Sequence, residues 1–389
     1  MRKLFIVAGE SSGDLHGSAL VRAILRREPD AQIKAVGGEL MREAGAELVA
    51  DLTGHAVIGL FEGFRNVARI YSTFRAVLRL LRADPPDAVV LIDYPEFNLR
   101  LARKVRKLGI PVIYYISPQV WAWRQWRVKV IEKYVDKMLV IFPFEEEFYR
   151  RHGVQVEFVG HPLTDELATV PDRSAARAAL GLPENATVIG LLPGSRRKEV
   201  EAILPIIVQA ARLIPEQIGR PVKFVAAKAP SVDGRVIQEI ASSLGLDVEI
   251  VDDDTYRVMR SSDLLLVASG TATVEAMILG TPMIVVYRVS TFTWVLFIRL
   301  MKVAHYAMVN IVAGREIVPE FIQWNASPEL IAREAATLFQ GDRLSRMRND
   351  LAQTTARLRR PPDPSDDPGN GGVPSVVAAR ILDFIAHKG

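Results

Sequence analysis

The sequence contains no cysteine. This absence excludes a disulfide framework, a thiolate metal site and a cysteine nucleophile, and it fits a protein of a reducing cytoplasm. The six histidines show neither an HExxH motif nor the paired spacing that is typical of zinc ligands. We therefore expect no metal site.

Long apolar runs and strong charge are also missing. No stretch of about 18 uncharged apolar residues occurs, so we expect no helix that spans a membrane. The apolar residues 4–8 stop at Gly9-Glu10, which is too short for a signal peptide and predicts a buried strand. The net charge of +4 is weaker than the positive footprint of nucleic-acid binders, so no nucleic-acid partner is expected.

Short apolar runs alternate with helical patterns along the whole chain. A chain of 389 residues with 49% hydrophobic residues suits two cores. Continuous apolar strands separated by helices predict an α/β fold with parallel sheets that are covered on both faces. The predicted strands are 4–8, 32–36, 88–92, 112–116, 137–141 and 156–159, and then 187–192, 222–226, 248–251, 264–267 and 283–286. We predict one domain over residues 1–165 and a second over 166–360. Residues 361–389 form a Pro/Gly-rich linker and a last helix, which docks on the first domain or on a partner protomer.

Ligands of parallel sheets bind beyond the carboxyl ends of the strands. Gly9-Glu10-Ser11-Ser12-Gly13-Asp14 follows the first strand and allows a tight turn. Its carboxylates would repel a pyrophosphate, but they could bind a sugar hydroxyl or support a general base. Alternatively, Asp14 only caps the helix over residues 15–27. The spacing is not GxGxxG, so it does not indicate a dinucleotide site.

Asp93 follows the strand over residues 88–92, at a point that Pro95 makes rigid. An aspartate placed there could deprotonate a hydroxyl group if its surroundings raise its pKa. The alternative is a structural Asx turn. Asn98 favours a helix cap over a ligand.

Aromatic and basic residues mark three candidate membrane contacts. The first cluster contains Trp121, Trp123 and Arg124, with Trp126 and Arg127 beside it, and could bind an anionic lipid surface. Residues 55–71 and 293–303 are apolar stretches edged by cations, and they include Phe61, Phe64, Arg65, Trp294 and Phe297. The alternative for all three is ordinary core packing.

Two loops of the second half favour a phosphate ligand. Leu192-Pro193-Gly194-Ser195-Arg196 combines a bare backbone with a guanidinium group that can grip phosphate. In Ser269-Gly270-Thr271-Ala272-Thr273-Val274-Glu275, small residues and hydroxyls open a helix, and Glu275 could receive two ribose hydroxyls. Each loop alone could be a plain strand–helix turn, but both together indicate a nucleotide diphosphate.

The combined motifs resemble those of bacterial lipid-A-disaccharide synthases. The matching segments are Gly9 to Asp14, Ile92 to Asn98, the Ser-Pro-x-Val-Trp-Ala-Trp-Arg run at 117–124, Phe158 to Pro162, Leu192 to Arg196, Ser269 to Glu275 and Asn310 to Glu316. The resemblance implies a GT-B fold, in which two Rossmann-like domains border an interdomain cleft. It also implies an inverting glycosyltransferase without cofactor or metal, which joins UDP-2,3-diacylglucosamine to 2,3-diacylglucosamine 1-phosphate in a β-1,6 linkage. Family members lie on the cytoplasmic face of the inner membrane, where the surface is anionic, and can form homodimers.

Carried over position by position, the resemblance makes Asp93 the candidate general base. It places Arg196 and residues 269–275 at the UDP site, with Asn310, Arg315 and Glu316 along the cleft. Glu10, Ser12, Asp14 and Asn98 fall on the acceptor side. Two rival functions stay open, namely a UDP-N-acetylglucosamine 2-epimerase of the same architecture and a non-catalytic UDP-sugar or lipid-binding module.

Overall fold

The computed structural model describes residues 1–52, 60–291, 294–295, 301, 303–361 and 372–388, and only the backbone of residues 60–68. The chain divides into two compact units. The first unit comprises Met1–Pro162 and Arg360–Gly389, and the second comprises Leu163–Arg359. The predicted boundary after residue 165 lies close to this division.

The first unit is a parallel sheet of seven described strands in the order β3-β2-β1-β4-β5-β6-β7. Four of its strands are continuous apolar runs that are almost fully buried, as expected for a parallel sheet with helices on both faces. The strands are β1 (Lys3–Ala8), β2 (Gln32–Val36), β3 (Glu47–Ala50), β4 (Ala88–Ile92), β5 (Val112–Tyr115), β6 (Lys137–Val140) and β7 (Glu157–Phe158). The helices are α1 (Ser11–Arg27), α2 (Glu39–Glu43), α3 (Leu60–Ala83), α4 (Pro95–Val105), α5 (Val128–Tyr134) and α6 (Pro143–Arg151).

The second unit repeats this architecture with six described parallel strands in the order β10-β9-β8-β11-β12-β13. Its strands are β8 (Thr187–Leu192), β9 (Val222–Lys228), β10 (Glu249–Asp252), β11 (Leu264–Ala268), β12 (Met283–Tyr287) and β13 (Glu320–Ile322). Its helices are α7 (Leu163–Glu166), α8 (Arg173–Ala179), α9 (Arg197–Ile218), α10 (Gly234–Ser243), α11 (Thr255–Ser261), α12 (Thr271–Ile278), α13 (Met308–Ala313), α14 (Pro328–Leu338) and α15 (Arg343–Arg357). Both sheets therefore have the doubly wound Rossmann order, and the predicted fold class is confirmed.

A final helix, α16 (Val373–Lys388), returns to the first unit and packs on α1. Arg2 donates a hydrogen bond to the carbonyl oxygen of Leu382 (2.9 Å), and Arg380 forms an ion pair with Glu157 (2.5 Å). The apolar side of α16 is buried, with Ile381 fully enclosed. Within the single chain, the described part of this helix therefore lies on the first unit.

Candidate active site

In the first sheet, β1 and β4 are neighbours, and the strand order reverses between them. Such a switch point is where ligands of open α/β sheets bind. Gly9 and Glu10 follow β1 there, and Asp93 and Tyr94 follow β4. The ring of Tyr94 lies so close to Gly9 that a β-carbon on Gly9 would come within 2.1 Å of it. Only glycine fits, so the two loops pack together as one surface.

Asp93 is held in an unusual backbone conformation. Asp93 and Tyr94 have φ angles of +42° and +46°, a region that side-chain-bearing residues rarely adopt. The carbonyl oxygen of Asp93 accepts two hydrogen bonds, one from the hydroxyl of Tyr114 (2.5 Å) and one from the Nδ2 of Asn98 (2.8 Å). Backbone strain that is fixed in this way is typical of functional sites.

The surroundings of Asp93 also change its acidity. Burial, and secondarily the negative charge of Glu10, raise the pKa of Asp93 from 3.8 to about 6, although a hydrogen bond from the Tyr94 amide and the nearby His16 act in the opposite direction. A carboxylate with this pKa is ionised near neutral pH and is still basic enough to accept a proton from a hydroxyl. The geometry therefore suits the role of general base.

The prediction that Asp14 caps α1 is wrong. The helix begins at Ser11, four residues before the predicted start at residue 15. The buried carboxylate of Asp14 instead accepts hydrogen bonds from the amides of Gly38 (2.7 Å), Leu40 (3.1 Å) and Met41 (3.2 Å). It therefore caps α2 and fixes the loop after β2, rather than facing an acceptor. Glu10 and Ser12 are exposed at the start of α1 and are accessible to a ligand.

From the sequence we expected Asn98 to be a helix cap or an exposed acceptor contact. It is neither. It lies inside α4, which begins at Pro95, and it is fully buried. Its Nδ2 also donates to the carbonyl oxygen of Ile92 (3.1 Å). Asn98 therefore positions Asp93 by holding the backbone at the end of β4.

The tryptophan-rich loop after β5 is only partly a surface feature. Trp121 is buried against Phe144 with an edge-to-face geometry (5.0 Å between centroids), so the prediction that it contacts lipid is wrong. Trp123 is half-buried, and the exposed guanidinium of Arg124 lies 4.2 Å above its ring. Trp126, by contrast, is 61% exposed.

Buried polar groups hold this loop, and sequence reasoning missed them. Ser117 and Tyr149 share a hydrogen bond of 2.8 Å. Beside them, burial raises the pKa of Glu145 to about 8, so this carboxyl group is mostly protonated near neutral pH. Glu96 forms ion pairs with Arg124 (2.8 Å) and Arg127 (2.5 Å), and so links the first turn of α4 to the segment after β5.

In the second sheet, β8 and β11 border the corresponding switch point, and the two predicted phosphate loops follow them. Gly194 has a φ of +117°, which favours glycine. The amides of Ser195 and Arg196 both point to the carboxylate of Glu199 (3.3 Å each). The Arg196 side chain is 78% exposed, and only a loose contact of 3.9 Å links it to Glu199. A cation at this switch point is thus accessible to a phosphate.

The loop after β11 leads into α12. Ser269 is partly exposed, Gly270 and Thr271 are exposed, and Ala272 is partly exposed, so the first amides of this helix can meet an anion. Thr273 is fully buried and its hydroxyl donates to the carbonyl oxygen of Gly270 (2.8 Å). The expectation that it contacts the nucleotide is therefore wrong.

Glu275 lies one turn into α12 and is partly buried. Its pKa is raised to about 7, chiefly by burial. A hydrogen bond from the Tyr256 hydroxyl (3.4 Å) acts to lower this pKa, and the nearby Glu166 acts to raise it. Tyr256 was not predicted from the sequence, because nothing in its local pattern separates it from a core tyrosine.

The expectation that Asn310, Arg315 and Glu316 line a ligand site is not supported by their contacts. Asn310 is fully buried, and its amide group bonds to the backbone of Ile317 and Val318 and to Glu320. Arg315 pairs with Asp350 of α15 (2.6 Å). Arg315 and Glu316 come before β13, which places them toward the amino ends of the strands. Ser269 follows β11 and lies at the carboxyl ends.

Of the other predicted lipid contacts, Trp294 is buried and packs on Tyr306 and Trp324, so the surface assignment is wrong for it. Phe297 and the side chains of Phe61, Phe64 and Arg65 lie outside the described residues. Among the helices described, none is long and apolar enough to cross a bilayer. The described residues also contain no group of three or more His, Asp or Glu side chains that could hold a metal ion.

Solved structures with similar folds include a complex with UDP and a complex with UDP-GlcNAc. The chain is similar over its whole length to a UDP complex of MnaA from S. aureus (TM-score 0.66, 11% identity, 97% of that chain covered). It is also similar to UDP-GlcNAc 2-epimerase from Neisseria meningitidis bound to UDP-GlcNAc (TM-score 0.62, 14% identity, 98% of this chain and 100% of that chain). The calicheamicin glycosyltransferase CalG4 gives a TM-score of 0.61 at 16% identity, with 99% of this chain and 98% of that chain covered. At these identities the likeness shows the fold and does not choose between transferase and epimerase.

Sequence relatives decide between them. The lipid-A-disaccharide synthase of Geobacter sulfurreducens is 41% identical over 387 residues, which cover 99% of this chain and 98% of that protein. The lipid-A-disaccharide synthase of Syntrophus aciditrophicus is 44% identical over 360 residues, or 92% of this chain and 94% of the relative. The model of the lipid-A-disaccharide synthetase family matches residues 4–363. The chain therefore belongs to the lipid-A-disaccharide synthetase family of glycosyltransferases.

Proposed function

We propose that this enzyme joins UDP-2,3-diacylglucosamine to 2,3-diacylglucosamine 1-phosphate and releases UDP and a β-1,6-linked disaccharide 1-phosphate. The observation that carries the proposal is Asp93, a carboxylate with a pKa of about 6 at the switch point of the first sheet. Its strained backbone and its two carbonyl donors keep it in one place, which a base acting on a bound hydroxyl requires.

In the proposed step, Asp93 accepts the proton of the acceptor 6-hydroxyl as that oxygen attacks the anomeric carbon of the donor. The bond between this carbon and the diphosphate oxygen breaks, and its electron pair leaves with UDP. Because attack and departure occur on opposite faces, the configuration at the anomeric carbon inverts.

The leaving diphosphate gains negative charge, which needs compensation. The exposed Arg196 guanidinium and the first amides of α12 supply positive potential at the second switch point, so we assign no metal or cofactor to the reaction. Glu275 is assigned to the ribose hydroxyls, which would donate to its carboxylate. Support comes from its position one turn inside α12 and from its partial burial.

We also propose that the first unit works on the cytoplasmic face of the inner membrane, where both acylated substrates are found. Support comes from Trp126, exposed beside Arg124, and from exposed cations on the neighbouring helices, namely Arg100, Arg103, Lys104, Lys129 and Lys133. An exposed indole among cations suits an anionic bilayer surface.

The test is to incubate the protein with both diacyl sugars and to follow UDP and disaccharide together. We expect the two products in equal amounts, and no UDP when the acceptor is omitted. Production of an epimerised UDP-sugar, or UDP release that ignores the acceptor, would contradict the proposal.

The nucleotide site is tested separately by calorimetry with UDP. We expect Arg196→Ala to weaken UDP binding at least tenfold, because one charge-assisted phosphate contact is lost. Arg197→Ala, an adjacent exposed arginine that pairs with Glu201, is the matched control and should leave the affinity unchanged. Equal effects of both variants would remove Arg196 from the site.

A further inference from the structure

A cavity of about 280 Å³ lies in the second unit, away from the proposed nucleotide site. Ser262 and Thr281, which line it, stand just before β11 and β12. They therefore mark the amino edge of the sheet, whereas the loops with Arg196 and Ser269 follow the carboxyl ends of the strands. The cavity and the nucleotide loops are on opposite edges of one sheet.

Three guanidinium groups from three separate elements line this cavity. Arg173 comes from α8, Arg260 lies in α11 and Arg348 lies in α15. The lining contains one carboxylate, Asp172, which accepts a hydrogen bond from the Ala175 amide (2.9 Å) as the cap of α8. The lining therefore carries a clear excess of positive charge.

The available carboxylates do not neutralise this excess. Asp263, next to the cavity, already pairs with Arg173 and with the fully buried Arg177 (2.9 Å), and it also accepts the Val188 amide (2.9 Å). The side chain of Arg348 has no hydrogen bond or ion pair within the described part of the chain.

Arg260 is only partly satisfied. Its Nη1 donates to the carbonyl oxygen of Leu279 (2.6 Å), but its buried Nε has no partner among the described residues. A buried donor without an acceptor costs free energy, and it is a reason to look for a missing ligand.

The electrostatics agree with this geometry. Burial, and then the positive charge of Arg173, lower the pKa of Arg348, while Asp263 opposes them only in part. The charged form of Arg348 is therefore less stable than that of a solvent-exposed arginine, and an anion bound in the cavity would stabilise it.

We propose that this cavity binds the phosphate group of a small phosphorylated molecule. Planar guanidinium groups bind pairs of phosphate oxygens, and arginines from three separate helices line this cavity. The volume is several times the roughly 30 Å³ that one water molecule occupies, so it accommodates an organic group together with the phosphate.

The test is calorimetric titration of glycerol 3-phosphate, as a soluble phosphate monoester, into the full chain saturated with UDP. We expect one binding event, weakened at least tenfold by Arg348→Met. Arg346→Met is the matched control, since this exposed arginine of the same helix pairs with Asp342 and should not matter. Because the charge of Arg348 is disfavoured, Arg348→Met should keep its Tm and its affinity for UDP.

A second arm distinguishes a soluble ligand from a lipid headgroup. Vesicles of phosphatidylcholine with and without phosphatidic acid are sedimented with the wild type and with Arg348→Met. If only the phosphatidic acid vesicles show dependence on Arg348, the phosphate belongs to a lipid. If Arg348→Met changes neither titration nor sedimentation, or if Arg196→Ala alone removes the binding of glycerol 3-phosphate, the proposed site is refuted.

Discussion

Replacing Asp93 by asparagine should remove catalysis and make the protein more stable. Asparagine tolerates the left-handed backbone of this position and keeps the shape of the side chain, so the change removes mainly the charge and the basicity. General bases contribute about 10²–10⁴-fold to a rate, and we expect a loss of that size in kcat. The affinity for UDP should stay unchanged.

The gain in stability follows from the pKa. An acid whose pKa rises from 3.8 in the unfolded chain to about 6 in the folded one binds its proton more tightly when folded. Stability is therefore lost as the pH rises from about 4 to 6, and at about 1.4 kcal/mol per pH unit the ionised carboxylate costs about 3 kcal/mol. Since Asp93 is partly exposed to screening solvent, we expect asparagine to restore about 1–2 kcal/mol, or a few degrees in Tm.

The assays are steady-state transfer from pH 5 to 8 and thermal unfolding over the same range. In the wild type, kcat/KM should fall about tenfold for each pH unit below 6, because the base becomes protonated. The Tm advantage of Asp93→Asn should shrink as the pH falls from 6 toward 4. Asp30→Asn, an exposed acid of the same unit, is the control and should change neither quantity. Substantial residual transfer, or equal loss of transfer and of UDP binding, would show that Asp93 is structural.

Further predictions concern the nucleotide site and the membrane surface. Glu199→Gln keeps an acceptor for the loop amides but removes a negative charge beside the diphosphate, so calorimetry should show UDP binding several-fold tighter; weaker binding would make Glu199 a ligand. Tyr256→Phe removes a hydrogen bond that lowers the pKa of Glu275, so the pH at which UDP affinity changes should move upward from about 7, and a profile that does not move would contradict the assigned ribose contact. Trp126→Ala should reduce sedimentation with anionic vesicles, whereas Leu330→Ala, an exposed apolar residue of the second unit, should not; equal retention of both would place the membrane contact elsewhere.

The sequence predicted the centre of each sheet well. The bounds of β2, β4 and β8 match the expected strands residue for residue, because buried parallel strands are continuous apolar runs between breaks in the pattern. The edge strands β3 and β13 were missed, since they are short and partly exposed and carry no such run. The position of Asp93 after β4 was predictable for the same reason.

The orientation of side chains in loops was not predictable. The sequence pattern around Trp121 and Trp294 is compatible with a surface or a core, and the fold turns both indoles inward. Aspartate is a residue type that often caps helices, so the sequence suggested that Asp14 caps its own helix. The amides that it binds belong to residues 38–41, and only the folded sheet brings these residues close to Asp14. Contacts between residues distant in the chain, such as that of Tyr114 with Asp93, leave no local signal.

The packing of α16 on α1 has a consequence for synthesis of the chain. The first unit is interrupted by the whole second unit, and its last helix leaves the ribosome only after Leu163–Arg359 has been made. Until then the partners of Ile381 and its apolar neighbours on the first unit are without their cover. The second unit can complete its own sheet at a stage when the first unit still lacks α16. We therefore expect chaperones to bind the first unit most strongly when the nascent chain is stalled after Arg359.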